Sequence, residues 1–407
     1  MRSLLDGATS REHACAVSGA GGHGGLTYRA RAAVRPARVR YLDDLKTVFV
    51  AGVIVFHAVL GYATVGSWPY QDVQESQLSA PSEAAVVVIF GPPAFFLMGV
   101  FFLLSGLVGP GSVDRKGIAR FVRDRLLRLG VPVVLMTLLL WPLLIAGLHR
   151  ATGDTSATYV STLVHATPPL DNGPLWFVEV LLIFSLGYAA WRRMHPHTGT
   201  PDGVSGRVLV WLGAGIAATT FAVRVAFAVD TPQIANLHLW QWPQCLGLFA
   251  LGIAAARRGW LSEVPSALRH RAGVVALAVI PILPIVAAVA AAAGHPLDGD
   301  SLGGGWRWES ALTATIEGAL VVSTAIWILG FAQRHPLPRS RLRDAAARAA
   351  YGAFLVQGPV LIALALLLRP IAVPAEVKAF VVATFGLLGS FVFAWYLVAR
   401  TPLGRLL

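Results

Sequence analysis

Long apolar runs alternate with short polar segments along most of the 407-residue chain. About 20 apolar residues in helical form cross the hydrocarbon core of a bilayer, so these runs predict membrane-spanning helices. The predicted spans are residues 45–63, 85–108, 130–148, 175–191, 208–229, 241–256, 272–293, 309–332, 350–368 and 376–399. The pattern therefore predicts an all-α, polytopic integral membrane protein with about ten transmembrane helices.

Charged residues agree with this class and orient the spans. Asp, Glu, Lys and Arg make up 13% of the chain, against about 25% in soluble globular proteins. The segments on one side of the predicted spans, including both termini, carry 28 of the 33 lysines and arginines, and the loops on the other side carry four. This bias predicts cytoplasmic N- and C-termini. The same bias explains the net charge of +12 by basic cytoplasmic loops, so this charge does not indicate nucleic-acid binding.

The first 40 residues differ in composition from the rest of the chain. They are rich in Arg, Gly and Ala and lack the apolar core of a secretory signal. We expect residues 1–40 to be a disordered basic tail, or sequence translated upstream of the true start, and residues 41–407 to form the membrane domain. A short disordered stretch is also expected at 195–206. The two cysteines, Cys15 and Cys245, indicate neither a disulfide framework nor a metal site.

An ionisable side chain lies inside the first span. His57 is flanked by apolar residues, and a titratable group at that depth is a functional-site hypothesis by default. Lys46 is 11 residues upstream and Asp43 is 14 residues upstream. At 100° per residue these two residues fall within about 20° and 40° of the helix face that carries His57.

Three further ionisable residues lie at a depth similar to that of His57, in the outer half of their spans. They are Glu179, Arg224 and Glu317, and none can face lipid cheaply. We predict that they face the same internal cavity as His57. The alternative is structural, with Glu179 and Arg224 forming a buried pair that joins two helices.

Two other patterns could bind a donor substrate. Arg125 and Arg128 are three residues apart at a membrane boundary, on one helix face, and guanidinium groups suit phosphate oxygens. A basic cytoplasmic loop would also explain them. Ser105-Gly106 ends the second apolar run, where a pair of small residues usually indicates close helix packing.

Five motifs occur in a set order on these spans. They are Asp43-Asp44-Leu45-Lys46 with His57 eleven residues after Lys46, Phe101-Phe102-Leu103-Leu104-Ser105-Gly106, Arg125-Leu126-Leu127-Arg128 followed by Pro132, Leu175-Trp176-Phe177, and Tyr351-Gly352-Ala353-Phe354-Leu355-Val356-Gln357-Gly358-Pro359. In this order they resemble the membrane acyltransferase-3 family over residues 40–399.

The resemblance implies transfer of an acyl group, commonly acetyl, from acyl-CoA to a hydroxyl of a carbohydrate or other extracytoplasmic acceptor. His57 matches the histidine thought to be essential, and Arg125 with Arg128 matches a pair associated with acyl-CoA. Two positions depart from the family pattern. Lys46 replaces the usual arginine and loses its bidentate fork, and Gln357 stands where the family often has histidine. An amide does not titrate, so Gln357 can hydrogen-bond but cannot transfer a proton.

The favoured interpretation is an O-acyltransferase of the inner (plasma) membrane with no metal, in which His57 is the general base because its unperturbed pKa is about 6.5. Its expected partners are acyl-CoA, with acetyl-CoA as the expected donor, a hydroxyl-bearing acceptor such as a carbohydrate, and the lipid bilayer. The candidate residues are His57, Asp43, Lys46 and Glu179 for catalysis; Arg125, Arg128, Phe102 and Ser105 for the donor; and Trp176, Arg224, Glu317, Tyr351 and Gln357 for the substrate cavity. The alternatives are a proton-coupled transporter or flippase that uses the intramembrane His, Glu and Arg residues, and a scaffold or sensor with structural ion pairs.

Overall fold

The computed structural model describes residues 40–195, 205–260, 262–338 and 340–401. The described part of the chain from residue 40 onward belongs to one compact unit. It consists of helices and connecting loops, with no strand among the residues described. The predicted tail at 1–40 and most of the predicted disordered stretch at 195–206 lie outside the described residues.

Ten long helices correspond to the ten predicted spans. They are α1 (Arg40–Leu60), α2 (Ala80–Lys116), α3 (Ile118–Ala151), α4 (Trp176–Met194), α5 (Gly206–Ala226), α6 (Trp242–Arg257), α7 (Ser266–Ala292), α8 (Trp308–Arg334), α9 (Arg341–Leu368) and α10 (Ala375–Arg400). Helix α7 is interrupted at Ile280-Pro281, as its prolines predict. The all-α, polytopic fold class is confirmed.

Eight of the helices in the described part of the chain are long and apolar enough to cross a membrane on composition alone. The other two predicted spans are also helical, but each differs from these eight in its charge or its length. The first seven residues of helix α1 include four charged ones, Arg40, Asp43, Asp44 and Lys46. Helix α6 has 16 residues, fewer than the roughly 20 that a typical bilayer requires.

Helix α3 contains two widened turns, each associated with a proline. The turns span Leu126–Gly130 and Met136–Leu140, and in each a backbone N–H bonds to the carbonyl five residues earlier. Pro132 and Pro142 follow them. A proline lacks an N–H and crowds the carbonyl four residues before it, which frees that carbonyl from the helix.

The two freed carbonyls accept hydrogen bonds from tyrosine hydroxyls. Tyr351 on α9 donates to the carbonyl of Arg128 at 2.7 Å, and Tyr159 donates to the carbonyl of Leu138 at 2.6 Å. The prolines of α3 therefore create the docking points that tie this helix to its neighbours.

Close approach of α2 and α6 depends on two glycines. A Cβ on Gly106 would lie 2.3 Å from the carbonyl oxygen of Phe249, and a Cβ on Gly252 would lie 2.4 Å from the carbonyl oxygen of Leu103. Neither position has room for a side chain. The close helix packing predicted from Ser105-Gly106 is therefore observed, and Ser105 is buried beside this contact.

The two ends of the helix bundle differ in character. At the end where α1 begins and α8 ends, Gln333 donates to the hydroxyl of Tyr41 and to the carbonyl of Trp260. We call this the basic end, because it carries Arg125 and Arg128. We call the opposite end, where α1 ends and α4 begins, the loop end. Long connections at the loop end surround a cavity.

Candidate functional site

A cavity of about 860 Å³ opens at the loop end of the bundle. Its walls come from α1, α3 and α4 and from the connections at 61–79, 152–172 and 227–241. The lining side chains that carry rings or ionisable groups are His57, Trp68, Asp72, Trp141, His149, Asp154, His165, Asp171, Trp176, Asp230, His238 and Trp240. The predicted intramembrane histidine, His57, therefore borders this cavity.

His57 has a defined set of neighbours in this cavity. Its Nδ1 atom lies 3.1 Å from the side-chain carbonyl oxygen of Gln357, which is fully buried on α9. An amide oxygen only accepts hydrogen bonds, so Nδ1 carries the proton and donates it. Nε2 is then the unprotonated nitrogen, which is the form a general base requires. The sequence predicts Gln357 as a cavity residue. It lies 300 positions along the chain from His57, the histidine that it contacts.

Trp68 holds the imidazole ring from one side. The two rings are stacked, with centroids 4.3 Å apart and planes 15° from parallel. The indole of Trp141 meets Trp68 edge to face at 6.4 Å. Both indoles are almost fully buried, so the orientation of His57 depends on a packed aromatic wall.

Trp141 is in turn fixed by the Asp171-Asn172-Gly173 segment. Its Nε1 donates to Asp171 at 2.7 Å, and its ring fills the space where a Cβ on Gly173 would lie, 2.4 Å away. Gly173 also has φ of +56°, a conformation that disfavours other residues. Sequence reasoning missed Trp141 and Asp171. The Asp-Asn-Gly-Pro turn was the available signal, because such turns mark fixed backbone geometry.

Asp171 and Asn172 join two loops to the start of α4. Asp171 also accepts from the backbone N–H of Gly173 and from the amide of Asn236. Burial raises the pKa of the Asp171 carboxyl, and these hydrogen bonds oppose that rise. Asn172 donates to Glu179 at 2.6 Å and to the carbonyl of Ala235. Glu179 is therefore an anchor for a cavity-lining loop.

A stack of three rings forms another part of the wall. Trp176 and His238 are nearly parallel, with centroids 4.5 Å apart, and His238 stacks on Trp240 at 5.5 Å. Burial lowers the pKa of His238 to about 4, so its imidazole is neutral at physiological pH. Trp176 was predicted as a cavity residue and lies in the lining. His238 was not singled out, because a loop gives no periodic signal.

Glu179, Arg224 and Glu317 are not among the residues that line this cavity, which corrects the prediction that all three face it. Arg224 and Glu317 form a salt bridge of 2.5 Å between α5 and α8, and both side chains are almost fully buried. Gln244 donates to the second oxygen of Glu317. The predicted alternative partner of Arg224 was Glu179, and this pairing is wrong: Arg224 pairs with Glu317. Its guanidinium lies 5.5 Å from the ring of Trp240 and so supports the cavity wall from behind.

The remaining predicted residues lie away from the cavity lining. Lys46 and Asp43 are about 16 and 21 Å from His57 along α1, at 1.5 Å per residue. Arg125 is half-buried with its guanidinium 5.1 Å from the ring of Phe121, and Arg128 is exposed. Tyr351 was predicted in the substrate cavity but lies at the basic end, where it bonds to the backbone of Arg128.

Phe102 lies in the packed core. It is fully buried, and its ring meets Phe177 and Phe184 edge to face or tilted, at 5.2 and 5.4 Å. Phe177 also contacts Phe101 at 5.2 Å, and Phe101 contacts Phe49 at 5.6 Å. These last three rings are only half-buried. They form an aromatic column between α1, α2 and α4.

A family model described as an acyltransferase domain, that of the acyltransferase-3 family, matches residues 39–399. The chain belongs to this family. No curated protein and no solved structure matches the chain. Membership makes the protein an acyltransferase, embedded in a membrane by several helices, and the predicted resemblance is confirmed.

The two ends of the acyltransferase differ in the charged residues that they carry. The residues that line the cavity include four aspartates and neither a lysine nor an arginine. The basic end carries Arg125 and Arg128. An anionic ligand therefore finds arginines at the basic end, whereas the ionisable side chains of the cavity wall are aspartates and histidines.

The described residues contain no group of three or more His, Cys, Asp or Glu side chains arranged to hold a metal ion. Cys245 is a buried free thiol on α6. Burial of a thiol without a cationic neighbour does not produce a reactive thiolate.

Proposed function

We propose that this acyltransferase moves an acyl group, most simply acetyl, from acyl-CoA to a hydroxyl of a carbohydrate-containing acceptor bound in the cavity. The observation that carries the proposal is His57 in the cavity wall with Nδ1 donating to Gln357. This contact leaves Nε2 available to accept a proton from the acceptor hydroxyl.

The reaction follows from that arrangement. Nε2 takes the hydroxyl proton as the oxygen attacks the thioester carbonyl, and the carbon–sulfur bond breaks. The departing thiolate of CoA takes the proton from the imidazolium, which restores the neutral base. Stacking on Trp68 and the bond to Gln357 keep the ring in one orientation through both transfers.

The tryptophans support a carbohydrate acceptor. Trp68, Trp176 and Trp240 line the cavity, and indoles offer flat apolar faces beside polar edges. Ligand sites typically combine such aromatic walls with a few polar groups that fix orientation. A sugar ring has both an apolar face and hydroxyls that meet these two requirements.

The donor is assigned to the basic end. Arg125 and Arg128 suit the phosphates of acyl-CoA, and Lys46 and Asp43 lie at the same end of α1. The thioester would then reach His57 along the column of Phe49, Phe101 and Phe177, which are half-buried and lie between α1, α2 and α4.

This arrangement gives the protein an orientation in the plasma membrane. Acyl-CoA is cytoplasmic, so the basic end faces the cytoplasm and the cavity opens outward, in agreement with the charge bias of the sequence. Reporter fusions after Arg400 and within 153–170 should lie on opposite sides of the membrane. Fusions on the same side would overturn this orientation.

Substitution of His57 tests the catalytic assignment. His57→Gln keeps hydrogen bonding but cannot accept a proton, so acetyl transfer to acceptor should fall by at least about 100-fold. His295→Gln is the matched control, since His295 is exposed near the loop end and does not line the cavity. Unfolding temperature and acetyl-CoA binding should be retained in both variants. Near wild-type transfer by His57→Gln would refute the proposed role.

The transporter alternative requires proton exchange among His57, Glu179, Arg224 and Glu317. These four residues are divided among three separate contacts: His57 with Gln357, Glu179 with Asn172, and Arg224 with Glu317. A flux assay in proteoliposomes that detects acceptor transport without acyl transfer would favour the transporter instead.

A further inference from the structure

The charge of the cavity wall is opposite to that of the protein. The chain has a net charge of +12, yet the cavity is lined by Asp72, Asp154, Asp171 and Asp230 and by no lysine or arginine. Four histidines also line the cavity, His57, His149, His165 and His238, and burial lowers the pKa of His238 to about 4. Apart from histidines, every ionisable side chain of the wall is an aspartate.

Two of these carboxylates already have partners within the protein. Asp171 accepts from Trp141, Gly173 and Asn236. Asp154 accepts from the backbone N–H and hydroxyl of Ser156. Both carboxylates are therefore engaged in hydrogen bonds that stabilise the cavity wall.

Asp72 and Asp230 differ from them. Neither forms a salt bridge with a residue in the described part of the chain, and both are exposed at the cavity. Asp72 follows Trp68 on the short helix Pro69–Val73, and Asp230 lies on the connection that carries Trp240. Each uncompensated carboxylate thus comes from a segment that also supplies an indole to the wall.

Three cations near the loop end are already paired with other carboxylates. Arg224 is paired with Glu317, and Arg369 and Lys378 are paired with Glu75. A cleft with one sign of charge and low-dielectric walls concentrates ligands of the opposite sign. Indole faces favour the same ligands, because a cation is attracted to the negative face of an aromatic ring.

We propose that the acceptor carries a protonated amine in addition to the hydroxyl that is acylated, as an amino sugar does, and that Asp72 and Asp230 recognise this amine. The inference rests on the proposed function, because it takes the cavity to be the acceptor site. Acceptors with phosphate or carboxylate groups are disfavoured by the same charges.

Three glycosides with one ring scaffold test the charge preference directly. Methyl β-D-glucosaminide, methyl β-D-glucoside and methyl β-D-glucuronide are cationic, neutral and anionic when the amine is protonated. Their binding to the full-length protein in detergent can be followed by tryptophan fluorescence, since four indoles line the cavity. At low ionic strength we expect the glucosaminide to bind at least about fivefold more tightly than the glucoside, and the glucuronide to bind most weakly.

The variants identify the residues responsible. Asp72→Asn combined with Asp230→Asn should remove the preference, so that the glucosaminide and the glucoside bind with equal affinity. Asp300→Asn is the matched control, because Asp300 is exposed near the loop end and does not line the cavity. Added salt should weaken the preference of the unmodified protein, a measurement that requires no variant.

Equal affinity for the glucosaminide and the glucoside would overturn the proposal, as would a preference that persists in the double variant. These outcomes are separable from failure of the proposed function. His57-dependent acetylation of glucoside and glucosaminide at equal rates would retain the acyltransferase assignment and refute amine recognition. Acetylation that does not depend on His57 would refute the catalytic assignment instead.

Discussion

Replacing Gln357 with methionine should slow acyl transfer without unfolding the protein. Methionine is similar in length and unbranched, and its thioether is only a weak acceptor. It therefore fills the fully buried position but removes the oxygen that lies 3.1 Å from Nδ1 of His57. The expected effect is on the tautomer of the base rather than on packing.

The magnitude follows from the fate of the imidazole proton. If the proton stays on Nδ1, a buried donor is left unpaired at a cost of about 1–3 kcal/mol. If it moves to Nε2, the nitrogen that should accept the hydroxyl proton is blocked, and the reactive tautomer must be regained at a similar cost. Since 1.36 kcal/mol is a factor of ten in rate, kcat should fall roughly 5- to 150-fold.

The assay is release of free CoA from acetyl-CoA in the presence of a glycoside acceptor, with kcat and KM measured separately. We expect kcat to fall while KM for each substrate changes little, since Gln357 contacts the base. Gln357→His should recover much of the rate, because a neutral imidazole can accept from Nδ1–H. Gln333→Met is the matched control: it removes hydrogen bonds to Trp260 and Val264 at the basic end, so it should lower the unfolding temperature but not kcat per folded molecule. Wild-type kcat in Gln357→Met would refute the argument.

Other predictions test the donor site, the buried ion pair and the cavity wall. Replacing Arg125 and Arg128 together with Ala should weaken acetyl-CoA binding about tenfold or more, since charge-assisted hydrogen bonds contribute about 1.5–3 kcal/mol each; Arg123→Ala, an exposed arginine on the same helix, should have little effect, and equal losses would point to general charge instead. Glu317→Leu strips a buried guanidinium of its partner and should reduce the free energy of unfolding by about 3–5 kcal/mol in thermal denaturation; an unchanged transition would contradict this. The pKa of His238 is lowered from 6.5 to about 4, so between these pH values the unfolded chain binds a proton that the folded protein does not, and stability should fall as pH drops through this window. His238→Phe keeps a ring in the stack and should make the unfolding temperature less sensitive to pH there, whereas an identical pH profile would argue against burial of a neutral His238.

The sequence predicts the helices well because their signal is local. Each apolar run in the spans is long enough to specify a helix without knowledge of its neighbours. The position of His57 inside such a run is visible for the same reason. Helix boundaries are less accurate: α3 begins at Ile118 rather than at residue 130, since its first turns carry arginines and lack an apolar signature.

Contacts between helices are decided by packing, which periodicity does not encode. Depth along a span placed Arg224 near both Glu179 and Glu317, and only the lateral arrangement of α5 and α8 selects Glu317 as its partner. Similarly, Tyr351 and Gln357 occur in one motif on α9 but serve opposite ends. Tyr351 bonds to a carbonyl freed by Pro132 at the basic end, and Gln357 reaches His57.

The sequence by itself determined the membrane class, the helices, the basic end and the histidine at the centre of the site, because each depends on residue type and spacing along one segment. Tertiary structure decided what surrounds that histidine. Trp68 and Trp141 come from different segments, and Asp171 fixes Trp141 through a turn with no periodic pattern. Such a wall is specified by side-chain packing between distant parts of the chain, and that information appears only when the helices are assembled.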